Sequence, residues 1–197
     1  MTDYTIEFQE PEHIYTVTID GIIKNPPSVT DILASEGLTK YWNDDEWYLE
    51  RGDIIHQCTA MIDRDTLDWA SVDERIKGYL EAYMSFREQS KWVFEHIEKA
   101  LYHPIYGYCG MFDRFPPLLD IKCGQGFPLQ LTAYAELLKA NGYNPGLEGY
   151  FLNLLATGKY NLKPYKFSRT DRNIWLSAVS IYNYKRRNGN NTRLPDK

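Results

Sequence analysis

The chain has 197 residues, 43% of them hydrophobic and 25% charged, enough for one domain with a substantial core and too apolar for a disordered chain. A net charge of -5 argues against a uniformly basic surface. The cysteines Cys58, Cys109 and Cys123 lie far apart with no CxxC, which argues against a disulfide scaffold, a zinc ribbon or a cysteine-ligated iron-sulfur cluster.

In chain order, TIEF and HIYTVTID, split by QEPE, read as a β-ribbon that NPPS ends. Ser28 is then the expected N-cap of the short helix SVTDILASEG, with Asp31 completing the capping box. From Asp44 to Asp63, Trp47, Leu49, Ile54, Ile55 and Met61 form an imperfect helical stripe that includes Gly52 and carries His56. Residues 73–94 repeat the helical pattern through Ile76, Leu80, Tyr83, Met84 and Phe86, and WVFEHIEKALY turns strand-like.

GMFDRFPPLLDIKCG (110–124) reads as a hairpin turning at Pro116-Pro117, which sets Asp113 opposite Asp120 and points Lys122 to the face of Asp120. LQLTAYAELLKA is an amphipathic helix from near Pro128 to Asn141-Gly142, with Gln130 and Tyr134 one turn apart. GYFLNLLATGKYNLKPYKF reads as a second hairpin turning at Thr157-Gly158. TDRNIWLSAVSIYNYKRR reads as a final helix capped by Thr170, with Ile174, Ala178, Ile181 and Tyr182 on one face. The order predicts a single α/β domain with a mixed or antiparallel sheet: an entry module over 1–40, a core over 44–187 and a polar tail over 188–197.

Charge is unevenly spread. NDDEW (43–47) and DRD (63–65) are acidic, whereas Lys159, Lys163, Lys166, Arg169, Arg172, Lys185, Arg186, Arg187 and Arg193 crowd the last forty residues. That basic part is either a solvated face with a charged tail or a phosphate-contacting surface. No run reaches the roughly 18 apolar residues of a membrane span. The start MTDYTIEFQEPEH has no signal-peptide pattern, so no membrane association and a cytoplasmic location are expected.

Opposed carboxylates repel unless a cation or a shared proton joins them. Two aspartates beside a strand-end loop suit a hard cation, Mg²⁺ or Mn²⁺, and a nearby lysine stabilises charge developing on a phosphate, so the set suits phosphodiester hydrolysis. A [DE]-x-K triplet arises by chance about once or twice in such a chain. The weight rests on the ordered set: a G-x-x-D strand (Gly110, Asp113), then Asp120-x-Lys122, then Gln130 and Tyr134.

These motifs resemble those of the PD-(D/E)XK nucleases, in particular the RecB-like and phage exonuclease branch, over most of the chain. RGDIIH (51–56) is similar to the family's first helical motif, which implies His56 as a metal ligand and Arg51 beside the substrate or behind the ligands. YGYCGMFD (106–113) resembles the aromatic run followed by G-x-x-D, which implies Asp113 as a ligand. LLDIKCG (118–124) resembles the D-x-K strand, with Asp120 a ligand, Ile121 offering its backbone carbonyl and Lys122 the catalytic lysine. QLTAY (130–134) is similar to the Q-x-x-x-Y helix, so Gln130 and Tyr134 position substrate or ligands. Glu98 in EKALY occupies the place of an upstream acidic residue, although it or nearby Glu95 can instead be a solvated charge.

HIYTVTIDGIIKNPPSVTDIL, and GKYNLKPYKF with YNYKRR, resemble the outer segments of phage-encoded members, and Cys123 stands where threonine or serine is frequent. The resemblance implies a restriction-endonuclease-like core, a mixed central sheet flanked by helices. It implies a Mg²⁺- or Mn²⁺-dependent exonuclease acting on linear DNA in phage or bacterial recombination and repair. No iron-sulfur cluster is expected, and a protein that anneals single strands is the expected partner. A silent DNA-binding accessory protein of the same fold is the alternative, against which the intact Asp113, Asp120 and Lys122 speak. Glycoside hydrolysis by carboxylates about 5 Å apart is a third reading, which the lysine and the Q-x-x-x-Y helix do not fit.

Overall fold

The computed structural model describes residues 3–9, 12–39 and 46–189. The expected helix start at Asp44, the side chain of Leu49 and the tail from residue 190 lie outside the described residues. The N-terminal ribbon has three strands, β1 (Thr5–Gln9), β2 (Ile14–Ile19) and β3 (Ile22–Lys24), paired antiparallel in that order. The third strand was not anticipated from sequence. It follows from Asp20-Gly21, whose positive φ values of 50° and 76° make the tight turn that matches strand twist.

Helix α1 (Val29–Ser35) starts as expected: Ser28 Oγ accepts from Asp31 N at 2.9 Å, and Ser28 N donates to Asp31 Oδ2 at 2.9 Å. Helix α2 (Glu46–Asp63) carries His56, and α3 (Glu74–Ser90) ends before residue 94 because Lys91 turns left-handed, φ 56°. The main sheet runs β4 (His96–His103), β5 (Tyr108–Phe115), β6 (Leu119–Lys122), β7 (Glu148–Leu154), β8 (Tyr160–Lys166). Helix α4 (Pro128–Ala140) is the crossover that makes β6 and β7 parallel, and the other neighbours are antiparallel, so the sheet is mixed.

Both faces are covered. Leu131, Leu137 and Leu138 of α4 pack with Val29, Ile32 and Leu33 of α1 and with Trp175 and Val179 of α5 (Arg169–Arg187) on one side. On the other side Ile55 of α2 and Leu80, Tyr83 and Phe86 of α3 pack on Leu119, Ile121 and Leu152. The cap of α5 is Ser168 rather than Thr170, because Ser168 Oγ accepts from Asp171 N at 3.0 Å, the S-x-x-D arrangement. Its buried face is Trp175, Ala178, Val179 and Tyr182, while Ile174 and Ile181 are exposed. Met61 and Met84, expected on the helical stripes, are likewise exposed.

The ribbon is tied to β5 where Cys109 N donates to Pro27 O at 2.8 Å. Gly110 is what lets α1 and α4 sit so close to β5, since a Cβ there would come within 3.0 Å of Val29, Tyr134 and Leu137 side-chain atoms. Among the described residues, no helix is long and apolar enough to cross a membrane.

Candidate metal centre

The β5–β6 hairpin turns at Pro116-Pro117, with Arg114 paired to Leu119; the pairing of Asp113 with Asp120 expected next is replaced by the bond from Ile121 N–H to the Asp113 carboxylate. The regular alternation expected beyond that pair does not hold. Phe112 packs in the core under α4, whereas Arg114, two residues on, reaches α2, so the strand changes face around Asp113. The neighbouring strand breaks at the same level: Ile97 pairs with Arg114 and Lys99 with Phe112, but Glu98 between them is left-handed, φ 49°. A non-glycine residue in that conformation inside a strand is strained and concentrates at functional sites.

This irregularity lets Glu98 and Asp113, from adjacent strands, converge with His56 of α2. Asp113 inserts between β5 and β6, where its Oδ2 accepts the Ile121 N–H at 2.5 Å in place of a ladder bond. Its Oδ1 lies 3.4 Å from His56 Nδ1, and Glu98 Oε1 lies 3.9 Å from the same nitrogen. One ligand atom from each of His56, Glu98 and Asp113 lies within 4.8 Å of the others. Asp120 is buried with both oxygens unpartnered by hydrogen bonds, although Lys122 Nζ stands 3.1 Å from Oδ1 as an ion pair.

The charges are strongly coupled. Burial disfavours the imidazolium of His56, but the Asp113 and Glu98 carboxylates outweigh it and push the pKa up to about 10. Burial also works against the Asp113 carboxylate, yet His56, Lys122 and the Ile121 N–H hold it below the ordinary range. Asp120 is pushed up to about 6, first by burial, with Lys122 opposing and Asp113 adding to the rise. The protonated histidine and the lysine thus neutralise a carboxylate cluster.

The other residues singled out from sequence fall around this centre. Gln130 and Tyr134 are buried on α4, Gln130 Nε2 donating to Tyr134 Oη at 2.9 Å. Burial, then the negative charges of Asp120 and Asp113, push the Tyr134 phenol far above its usual range. Arg51 lies over the Tyr79 ring, 5.2 Å from its centre. Glu95 is exposed, so of the two glutamates it is Glu98 that the sheet brings to His56 and Asp113.

Sequence reasoning missed Arg114, Thr59 and Asp63. Arg114 is completely buried and bonds Asp63, Glu98, Thr59 and its own neighbour's carbonyl. A signal existed in FDRF: adjacent opposite charges between two phenylalanines on a core strand cannot both face solvent.

The residues suit a hard divalent cation: the carboxylates of Glu98 and Asp113 and the imidazole of His56 lie together, and on the adjacent strand the buried Asp120 carboxylate has oxygens with no hydrogen bond. Searches against protein-family models and curated proteins find no match. Among solved structures the fold is similar to that of a "Putative exonuclease" from Eubacterium rectale, with a TM-score of 0.57 and 12% identity over 86% of this chain and 83% of that one. That likeness shows a shared fold.

Proposed function

We propose that this chain is a Mg²⁺- or Mn²⁺-dependent deoxyribonuclease of the PD-(D/E)XK type, in its RecB-like and phage exonuclease branch, that degrades linear DNA during recombination or repair. One observation carries the reading. Asp120, buried and unbonded except for the Lys122 ion pair, stands on the strand next to Asp113 with its His56 and Glu98 partners. The fold shared with a protein called an exonuclease supports it.

Asp113, Asp120, Glu98 and His56 would hold the cation, with the Ile121 carbonyl as a further donor. Such a cation supplies Lewis acidity toward a phosphate oxygen and lowers the pKa of water. The chain's own groups do the rest. Lys122 keeps a positive charge 3.1 Å from Asp120, where it meets charge developing on the phosphate and offers a proton. The Ile121 N–H fixes the rotamer of Asp113, and Gln130 holds the hydroxyl of the buried Tyr134 on α4. Arg51, whose charge, like that of Lys122, acts on Cys123, would meet a DNA phosphate. A single-strand annealing protein as partner belongs to the same reading.

The test uses end-labelled linear single- and double-stranded DNA beside a closed circle, with Mg²⁺, Mn²⁺ or chelator. Wild type is expected to degrade the linear substrates only with metal, whereas Asp120→Ala and Lys122→Ala lose at least about 100-fold in rate. A wild type that leaves every DNA intact but shifts it on a gel is a binding protein, and the nuclease reading is then wrong.

A further inference from the structure

The guanidinium of Arg114 is fully buried and reaches Glu98, Asp113 and, through Thr59, His56. Its Nη1 donates to Glu98 Oε1 at 2.7 Å and to the Asp113 carbonyl at 2.7 Å. Its Nη2 donates to Thr59 Oγ1 at 3.1 Å, and Thr59 Oγ1 in turn donates to the His56 carbonyl at 2.9 Å. Its Nε is held by Asp63 Oδ2 at 2.5 Å, a carboxylate that also receives Tyr83 Oη at 2.6 Å and pairs with Arg87.

A guanidinium presents its donors in one rigid plane, so fixing Nε on Asp63 also fixes where Nη1 and Nη2 point. Glu98 in particular has a strained backbone, φ 49°, and Arg114 is the ion-pair partner within normal hydrogen-bond distance of its carboxylate. Asp63 is the last residue of α2 and Tyr83 and Arg87 belong to α3, so the two helices are braced to the sheet at this one carboxylate.

We infer that the Asp63–Arg114 pair is a positioning unit that holds Glu98, Asp113 and His56 in the geometry required to bind a divalent cation. This rests on the metal-site reading above. Outer partners that orient metal ligands typically contribute 10- to 100-fold in metal affinity. The unit acts mainly through Glu98, the one cluster side chain that Arg114 bonds directly.

The experiment is Mn²⁺ titration of the full chain by calorimetry and by the electron paramagnetic resonance spectrum of bound Mn²⁺, with thermal melting as a fold control. Four proteins are compared: wild type, Asp63→Asn, Glu98→Gln and the double variant. Asp63→Asn is expected to melt cooperatively, to bind Mn²⁺ about 10- to 100-fold more weakly and to give an altered spectrum. In the Glu98→Gln background the same change is expected to add little, because the two act in series. Should Asp63→Asn not fold, Thr59→Val, which removes one Arg114 acceptor at nearly constant volume, takes its place in the same comparison. Wild-type affinity and spectrum in a folded Asp63→Asn, or a loss that adds fully to that of Glu98→Gln, overturns the positioning role and leaves the metal site standing. A wild type that binds no Mn²⁺ overturns the metal site, and the positioning role with it.

Discussion

His56 and Asp120 both have their pKa raised in the fold, and each shift has a sign that can be followed through pH. A group bound more tightly to its proton when folded stabilises below its unfolded pKa and loses that contribution as pH rises through the folded value. For Asp120 the window runs from about 4 to about 6, and for His56 from 6.5 to about 10. The metal-free protein is therefore expected to melt at lower temperature at pH 10 than at pH 7, and His56→Asn to flatten that difference, which thermal melts in chelator would reveal. Because His56 holds its proton at neutral pH, loading the site with a cation must release it. About one proton per Mn²⁺ is expected at pH 7.5, read from calorimetry in buffers of different ionisation enthalpy, with a smaller release in His56→Ala.

At the scale of elements, the site depends on how closely helices approach strands. A methyl group at Gly110 would meet Leu137 Cδ1 at 2.9 Å and Tyr134 Cε1 at 3.0 Å, atoms that can yield by moving α4 slightly. Gly110→Ala is expected to destabilise by about 1–3 kcal/mol in denaturant unfolding. Gly78 on α3 is the harder case. Its Cβ would overlap the backbone carbonyl of Ala156, which cannot rotate away, so Gly78→Ala is expected to lower the denaturant midpoint further than Gly110→Ala despite alanine's better helix propensity. Equal or smaller damage at Gly78 would show that the β7–β8 turn gives way instead.

Across the whole molecule the net charge of -5 hides a division of labour among the basic residues. Arg172 is bound to Glu136 and Lys185 to Glu36, so these cations are already engaged. Lys159, Lys163, Lys166 and Arg169 are exposed and form no ion pair among the described residues, which leaves them available to phosphates. Replacing Lys163 and Lys166 with alanine is expected to weaken DNA binding and to reduce the slope of log K against log salt by about 2, whereas Arg172→Ala leaves that slope unchanged. Fluorescence anisotropy over a salt series separates these outcomes, and an unchanged slope in the double variant assigns the basic stretch to solvation alone.

What the sequence determined by itself was whatever depends on neighbours along the chain: the capping box at Ser28, the turn at Pro116-Pro117, the helices around His56 and Gln130, and the order of elements that makes a mixed sheet. Hydrophobic period and turn chemistry are local, so these could be read directly. Even the missed third ribbon strand had its local sign in Asp20-Gly21. Other features were decided only when distant segments met. The left-handed turn at Glu98 and the change of face around Asp113 break the alternation from which strand faces are read. The burial of Arg114 against Asp63, 51 residues away, follows from α2 docking on the sheet. An ionisable side chain buried in a core is stable only if its partners arrive from elsewhere in the fold, and tertiary packing alone brings them together.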